Sequence, residues 1–282
     1  MKKEIIVTKN MAGRKIEYVL KGDLQLSGNI IKKLKASGGI KVNGEAARIN
    51  EKLKEGDVLS LDLEHEESCI VPSRMELHII YEDEDVLVLN KPRGMETHPS
   101  KGNYTNTLAN GVVHYFNGSA EFHVITRLDK ETSGAVLIAK NALSAHLLNK
   151  AMREKKIEKE YVAVIKGTPS QKTGVIDAPI KRGEGIRRVV AEDGKEAVTE
   201  YAVEKEMGTF TLLRLKPLTG RTHQIRVHLA HLGFPIYGDW LYGEEIKGEG
   251  LRLHCHRLSF NHPSKGERVT IEAPICELLP LL

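Results

Sequence analysis

Two short apolar runs do most to limit the architecture of this chain, Val86-Leu87-Val88-Leu89 and Ala135-Val136-Leu137-Ile138-Ala139. The first reads as a strand buried on both faces, because four apolar residues follow one another without polar alternation. Lys91-Pro92 stops it and Gly94 turns the chain. The second is strand-like and is entered through a loop of Asp, Thr, Ser and Gly. After it, Leu143, Leu147, Leu148, Ala151 and Met152 recur at helical spacing. That spacing predicts an amphipathic helix over about 142–154, with its apolar stripe in the core. Strands are expected at Glu160 to Ile165, Thr199 to Val203 and Leu213 to Lys216, the last ending at Pro217. Strands and helices mix irregularly instead of repeating βα units, so the fold class is α+β. The chain shows no internal repeat and no low-complexity tract.

A boundary is expected near residue 70, where residues 64–76 are mostly polar and contain Pro72, as a linker does. This gives a small N-terminal domain, 1–70, and a larger one, 77–282. In the small domain Ile30, Ile31 and Leu34 form one apolar side of a short helix ending at Gly38-Gly39. A strand from Ile40 to Val42, a turn at Asn43-Gly44 and a strand from Val58 to Leu63, introduced by Gly56-Asp57, complete it.

With 282 residues, 40% of them hydrophobic, the chain can bury a substantial core and is not a disordered protein. The net charge of +4 is a weak argument for a nucleic-acid partner. Its distribution says more, since Lys150, Arg153, Lys155, Lys156 and Lys159 cluster, as do Lys181, Arg182, Arg187 and Arg188. Cys69, Cys255 and Cys276 lack metal or redox spacing and suit a reducing cytosol. No apolar segment approaches the roughly 20 residues of a membrane span, and Met1-Lys2-Lys3-Glu4 is not followed by a signal-peptide core. A cytoplasmic protein without membrane partners is therefore expected, and a monomer is assumed.

The candidate chemistry lies in two stretches. In Thr126-Arg127-Leu128-Asp129-Lys130-Glu131-Thr132-Ser133-Gly134, an aspartate sits between two cations on a polar loop that leads into an apolar strand. Loops on rigid mounts carry catalytic groups, but a turn with Asp129 and Thr132 bonding nearby backbone accounts for the same residues. The second stretch runs from Thr219-Gly220-Arg221-Thr222-His223-Gln224-Ile225-Arg226 to Gly233, a Gly turn leading into a helix that Gly233 closes. Its first amides, with Arg221 and Arg226, can seat an anion, either a phosphate or the Asp129 carboxylate. His228 and His231 share a face, yet no His-Glu-x-x-His pattern, cysteine or acidic ligand accompanies them, which argues against a metal.

Both stretches resemble the signatures of the RluA/RluD family of RNA pseudouridine synthases, Arg-Leu-Asp-x-x-Thr-Ser-Gly and Gly-Arg-Thr-His-Gln-Ile-Arg-Val-His. Tyr81-Glu82-Asp83 through Asn90-Lys91-Pro92, Lys159-Glu160-Tyr161, Gly238-Asp239-x-Leu241-Tyr242-Gly243 and Leu253-His254 through Pro263 follow the same family order. Thr126 departs from it, since many relatives carry histidine or asparagine there. The N-terminal pattern resembles the small RNA-binding domain named after ribosomal small-subunit protein four, with Gly28-Asn29 where an arginine is common.

The resemblance implies a mixed, mainly antiparallel central sheet with the active-site cleft across its middle. It implies isomerisation of uridine to pseudouridine, in which nothing is oxidised or added, so no cofactor or metal is required. Asp129 then acts as nucleophile toward the anomeric carbon, as a base on a ribose proton, or by adding to the ring. Arg226 matches the partner of that carboxylate, and Tyr161 matches the residue that stacks on the target base and can help remove the C5 proton in the last step. Arg127 fills the gap left by the flipped uridine, or contacts phosphate. Lys91, Arg221 and His223 are expected as further RNA contacts. RNA is the partner, with ribosomal RNA favoured over transfer RNA because of the N-terminal domain. A glycoside or nucleoside hydrolase would commonly deploy two carboxylates about 5–9.5 Å apart, where the signature loop's candidate is Asp129 with arginine company. A non-catalytic RNA-binding or ribosome-assembly factor would tolerate loss of Asp129, yet Asp129, Tyr161 and Arg226 are all present.

Overall fold

The computed structural model of the chain describes residues 2–62, 70–118 and 122–275. Its N-terminal part runs β1 (Lys2–Ile6), α1 (Ile16–Gly22), α2 (Gly28–Ala36), β2 (Ile40–Val42), β3 (Glu45–Ala46) and β4 (Val58–Asp62). The four strands form one antiparallel sheet in the order β1-β4-β2-β3. Ser27 caps α2, its hydroxyl accepting from the Ile30 amide, and Ile31 and Leu34 turn inward against Leu59 and Leu61. The expected α2, β2 and turn are present. β1, α1 and β3 were not anticipated, because their apolar positions are too few to set a period. The second strand is recorded to Asp62; Leu63 and the first half of the expected linker, with Cys69, lie outside the described residues, as does Cys276. From Ile70 to His78 the chain has no helix or strand.

The larger part continues with β5 (Ile79–Glu82), β6 (Val86–Lys91), α3 (Leu108–Tyr115), β7 (His123–Val124), β8 (Ser133–Ala139), α4 (Ala142–Arg153) and β9 (Glu158–Lys166). Then come β10 (Thr173–Asp177), β11 (Ile180–Arg182), β12 (Arg188–Val190), β13 (Val198–Met207), β14 (Phe210–Pro217), α5 (Gln224–His231), β15 (Leu253–Asn261) and β16 (Arg268–Glu272). Ten of these strands share a sheet of order β10-β13-β14-β9-β15-β8-β6-β5, with β16 beside β15 and β7 beside β8. β11 and β12 make a separate hairpin. Every pairing in the large sheet is antiparallel except β15 with β8. The apolar run in β6 and all of β8 are buried, as uninterrupted apolar strands must be.

The parallel contact sets the site. Gly134 pairs with Cys255 at φ +112, and a Cβ there would lie 2.3 Å from the Cys255 carbonyl oxygen. Only glycine permits that approach. Cys255 also registers with Tyr161 on β9, so the loop entering β8 is brought beside Tyr161 at the middle of the sheet.

α4 has two partners. Ala145 and Leu148 pack into the large core, while Leu143, with Ala142 and Leu147 beside it, belongs to the N-terminal core. The His146 Nε2 also contacts the Gln25 carbonyl at 2.6 Å. The apolar stripe is core as expected, but of two clusters at once.

A half-buried polar knot joins the β5–β6 turn to residues after β15. Asp83 accepts from the Asp85 and Val86 amides at 2.9 Å and from the Tyr81 hydroxyl at 2.8 Å, and lies 2.7 Å from His262 Nε2. Burial alone would push its carboxyl up, but these four donors outweigh it and hold the Asp83 pKa down at about 2. Because the folded pKa lies below the unfolded value of about 4, the stabilisation is complete above about pH 4 and is lost as pH falls through about 2. Asp83→Ala is expected to lower unfolding stability by roughly 2–3 kcal/mol near neutral pH. The gap to wild type should shrink toward pH 2 in denaturant titrations, and a gap constant across that range would contradict this assignment.

Candidate active site

Asp129 stands on a loop whose backbone is tied at successive residues. Thr126 is fully buried and its hydroxyl accepts from the Leu137 amide at 2.9 Å, so the departure from the family pattern serves to fasten the loop to β8. The Thr97 hydroxyl donates to the Leu128 carbonyl at 3.0 Å, and the Gly94 amide donates to the Lys130 carbonyl at 2.9 Å. The Thr132 amide closes a turn on the Asp129 carbonyl at 3.1 Å. The loop is thus an ordinary turn and a rigid mount together.

Lys91 corrects an expectation. Placed among the RNA contacts by sequence, it is fully buried, and its ammonium donates to the carbonyls of Pro92, Met95 and Lys130 at 2.9, 2.8 and 3.2 Å. It ends a strand buried on both faces, so its side chain has no route to solvent, and it fastens the Asp129 loop from beneath.

A cleft of about 340 Å³ opens over this loop, lined by Arg127, Asp129, Thr132, Lys159, Tyr161, Arg221, His223 and Arg226 among others. Six of the seven sequence-chosen residues therefore meet in one place, Lys91 being the exception. Arg127 and Arg221 are exposed, and the Arg221 Nε donates to the Glu196 carbonyl at 2.8 Å. Tyr161 is buried in the core and faces the cleft as well. Burial, followed by nearby Cys255 and Asp129, raises its hydroxyl pKa well above the usual value, so the phenol stays neutral. Burial also pushes the Cys255 thiol up to about 11, against the pull of Lys159 and Tyr161.

Arg226 is the second correction. It was matched to the Asp129 carboxylate, but its hydrogen bonds run from Nε and Nη2 to Asp239 at 2.8 and 2.7 Å. Asp239 is fully buried and also accepts from the Leu241 and Tyr242 amides at 3.0 and 3.2 Å. A buried carboxylate requires a buried counter-charge, whereas Asp129 has a third of its side chain open to solvent and needs none. Arg226 adds to the positive field at Asp129 without bonding to it. The proposed anion seat at the start of α5 loses one of its two arginines by the same pairing.

The structure brings to the site residues to which the sequence alone assigns no role there. Lys159 precedes Tyr161 by two on β9 and so shares its cleft-facing side. Burial lowers its ammonium pKa, opposed by Cys255 and Asp129. That period-two spacing was the available signal. Asp239 and Tyr242 lie in the Gly-Asp-x-Leu-Tyr-Gly block, and Tyr242 stacks beneath the Arg226 guanidinium at 5.1 Å. Gln224 and His228 stitch α5 to β13: the Gln224 amide reaches the Val198 carbonyl and the Thr199 hydroxyl at 2.9 and 3.0 Å. Both His228 ring nitrogens are engaged, by Thr199 and by the Ala178 carbonyl.

A rigidly held carboxylate, a neutral aromatic wall and exposed cations around one open cleft suit chemistry on an anionic polymer whose base must be gripped outside its stack. Comparison with known proteins agrees. Residues 85–231 match the family described as RNA pseudouridylate synthase. The uncharacterized RNA pseudouridine synthase YlyB of Bacillus subtilis is 41% identical over 251 residues, covering 85% of this chain and 83% of the relative. The ribosomal large subunit pseudouridine synthase D of Borreliella burgdorferi is 35% identical, covering 87% and 83%. The structure of human RNA Pseudouridylate Synthase Domain Containing 1 superposes with TM-score 0.61 at 28% identity, covering 71% of this chain and 83% of that one. The chain belongs to the RNA pseudouridine synthases, isomerases that act on RNA. Within them it falls in the RluA/RluD family, since residues 3–59 match the RluD ribosomal pseudouridine synthase N-terminal domain. Among the described residues no helix is long and apolar enough to cross a membrane.

Proposed function

We propose that this chain converts uridines of large-subunit ribosomal RNA to pseudouridine, with Asp129 as the catalytic carboxylate and without a cofactor. One observation carries the assignment: Asp129, Tyr161 and Arg127 face one cleft, with Asp129 on a loop clamped from both sides. Relatives named ribosomal large subunit pseudouridine synthase D, together with the N-terminal domain, support the choice of RNA. The two working units are taken as residues 1–70, for RNA binding, and 77–282, for catalysis.

In the reaction the bond from ribose C1′ to uracil N1 breaks, the base turns, and a bond from C1′ to C5 forms. The proton on C5 leaves and N1 gains one, so atoms and charge balance without a co-reactant. Asp129 approaches the sugar and base as nucleophile, as base or by ring addition. Tyr161 offers its neutral ring as a wall against the detached uracil, and the high pKa of its hydroxyl favours that role over a phenolate base. Lys159 sets positive charge beside both. Arg127, exposed next to Asp129, occupies the space the flipped uridine vacates, where its guanidinium stacks on neighbouring bases.

Arg127→Ala is therefore expected to lower kcat/KM on RNA about tenfold or more while changing stability by less than about 0.5 kcal/mol. Equal losses of turnover and folding would sink that role. The choice of RNA is tested by mapping pseudouridines in ribosomal and transfer RNA from cells lacking this protein, before and after incubation with it. New pseudouridine confined to large-subunit RNA is expected. New sites confined to transfer RNA would overturn that part.

A further inference from the structure

We infer that His223 is a positioning residue for Asp129, held by Tyr242 as the neutral imidazole with its proton on Nε2 so that this N–H faces the carboxylate. The inference rests on Asp129 being the catalytic carboxylate. It replaces the RNA contact that the sequence suggested for His223.

The hydrogen-bond pattern assigns the tautomer. The Arg188 amide donates to the Tyr242 hydroxyl oxygen at 2.8 Å, and the same oxygen lies 2.8 Å from His223 Nδ1. An amide can only donate, so the phenol oxygen accepts there and keeps its own proton to give. Among the described residues that proton has one partner within reach, Nδ1, and the pairing is completed when Nδ1 accepts it. If Nδ1 carried the proton instead, the phenol proton would have no partner among the described residues. With Nδ1 accepting, the neutral ring carries its proton on Nε2, and Nε2 lies 4.0 Å from Asp129 Oδ2. Catalytic hydrogen bonds are often long before substrate arrives and tighten on binding.

Three further features agree. His223 adopts a left-handed backbone, φ 57°, at the N-cap of α5, without a side-chain cap bond to reward it. Strain of that kind persists where surrounding structure demands a particular side-chain direction. The side chain is 13% exposed, so its surroundings are mostly protein. Around it stand Asp129 before β8, Arg226 on α5, Arg188 on β12, and Asp239 and Tyr242 in the turn before β15. Burial, helped by the two arginines and opposed by the two aspartates, lowers the imidazole pKa, which keeps the ring neutral at working pH. The chain Arg188 amide, Tyr242, His223, Asp129 also links the β11–β12 hairpin to the catalytic carboxylate.

The test combines nitrogen NMR of the intact protein, labelled at histidine, with kinetics on RNA. At about pH 8, above the ordinary imidazole range, His223 should show a protonated Nε2 and a bare Nδ1. Tyr242→Phe should mix the tautomers and lower kcat about tenfold to a hundredfold, the weight of one hydrogen bond to a charged group, with KM little changed; the unfolding midpoint falls modestly, because the Arg188 amide loses its acceptor. His223→Gln, which retains an N–H at similar reach, should keep more turnover than His223→Ala. A proton on Nδ1 in wild type, or full kcat in both Tyr242→Phe and His223→Ala, would overturn the inference. Asp129→Asn run alongside separates the two readings: its retaining activity defeats the catalytic assignment itself, whatever His223 does.

Discussion

Asp239→Ala is expected to destabilise the protein by about 3–5 kcal/mol, the largest stability effect of any single polar substitution near the cleft. The carboxylate has no exposure and Arg226 only 4%, so removing one partner leaves a nearly buried guanidinium without its counter-charge. The loss has a second part. Asp239 also accepts from the amides of Leu241 and Tyr242, and those donors would be left without it. With that turn loosened, Tyr242 loses its fixed place against Arg226 and His223, so turnover should fall along with stability. Denaturant unfolding of the variant measures the first effect. A change under about 1 kcal/mol would mean that Arg226 finds another counter-charge cheaply, with Asp129 the nearby carboxylate to take it.

Asp129→Asn should behave in the opposite way. Its side chain is a third exposed and makes no hydrogen bond to a described residue; His223 Nε2 stands 4.0 Å from it. The loop is held through backbone carbonyls and through Thr97, Lys91 and Thr126, none of which involves the carboxylate. Unfolding stability should therefore stay within about 0.5 kcal/mol of wild type. Turnover should fall at least about a thousandfold, roughly 4 kcal/mol of barrier, because an amide cannot act as nucleophile or base. RNA binding should persist. A variant that folds, binds and still turns over within about tenfold of wild type would remove Asp129 from the centre of the mechanism.

Much of this was legible in the residues, and the parts that were not share a cause. β6, β8 and α4 were readable because each carries a complete apolar pattern, and the pattern alone dictates burial. The Asp129 loop was readable from its residue types and order. The partner of Arg226 was not, because sequence offers two aspartates and burial chooses between them; Asp239 is enclosed and Asp129 is not. Lys91 misled for a similar reason. A lysine near a cleft loop suggests phosphate, yet the strand it ends is buried on both faces, and three carbonyls receive its ammonium. Lys159 was within reach, since period two places it beside Tyr161. The tie between Tyr242 and His223 spans separate turns and becomes visible only when α5 and the turn after Gly238 are packed together.

The most direct measurement is tritium release from RNA labelled at uracil C5, taken from cells lacking this protein, with free uracil followed in the same reaction. Wild type should release tritium to water and no uracil, and Asp129→Asn should release neither while still binding the RNA. Appearance of free uracil, or tritium release by Asp129→Asn near the wild-type rate, would contradict an aspartate-centred isomerase.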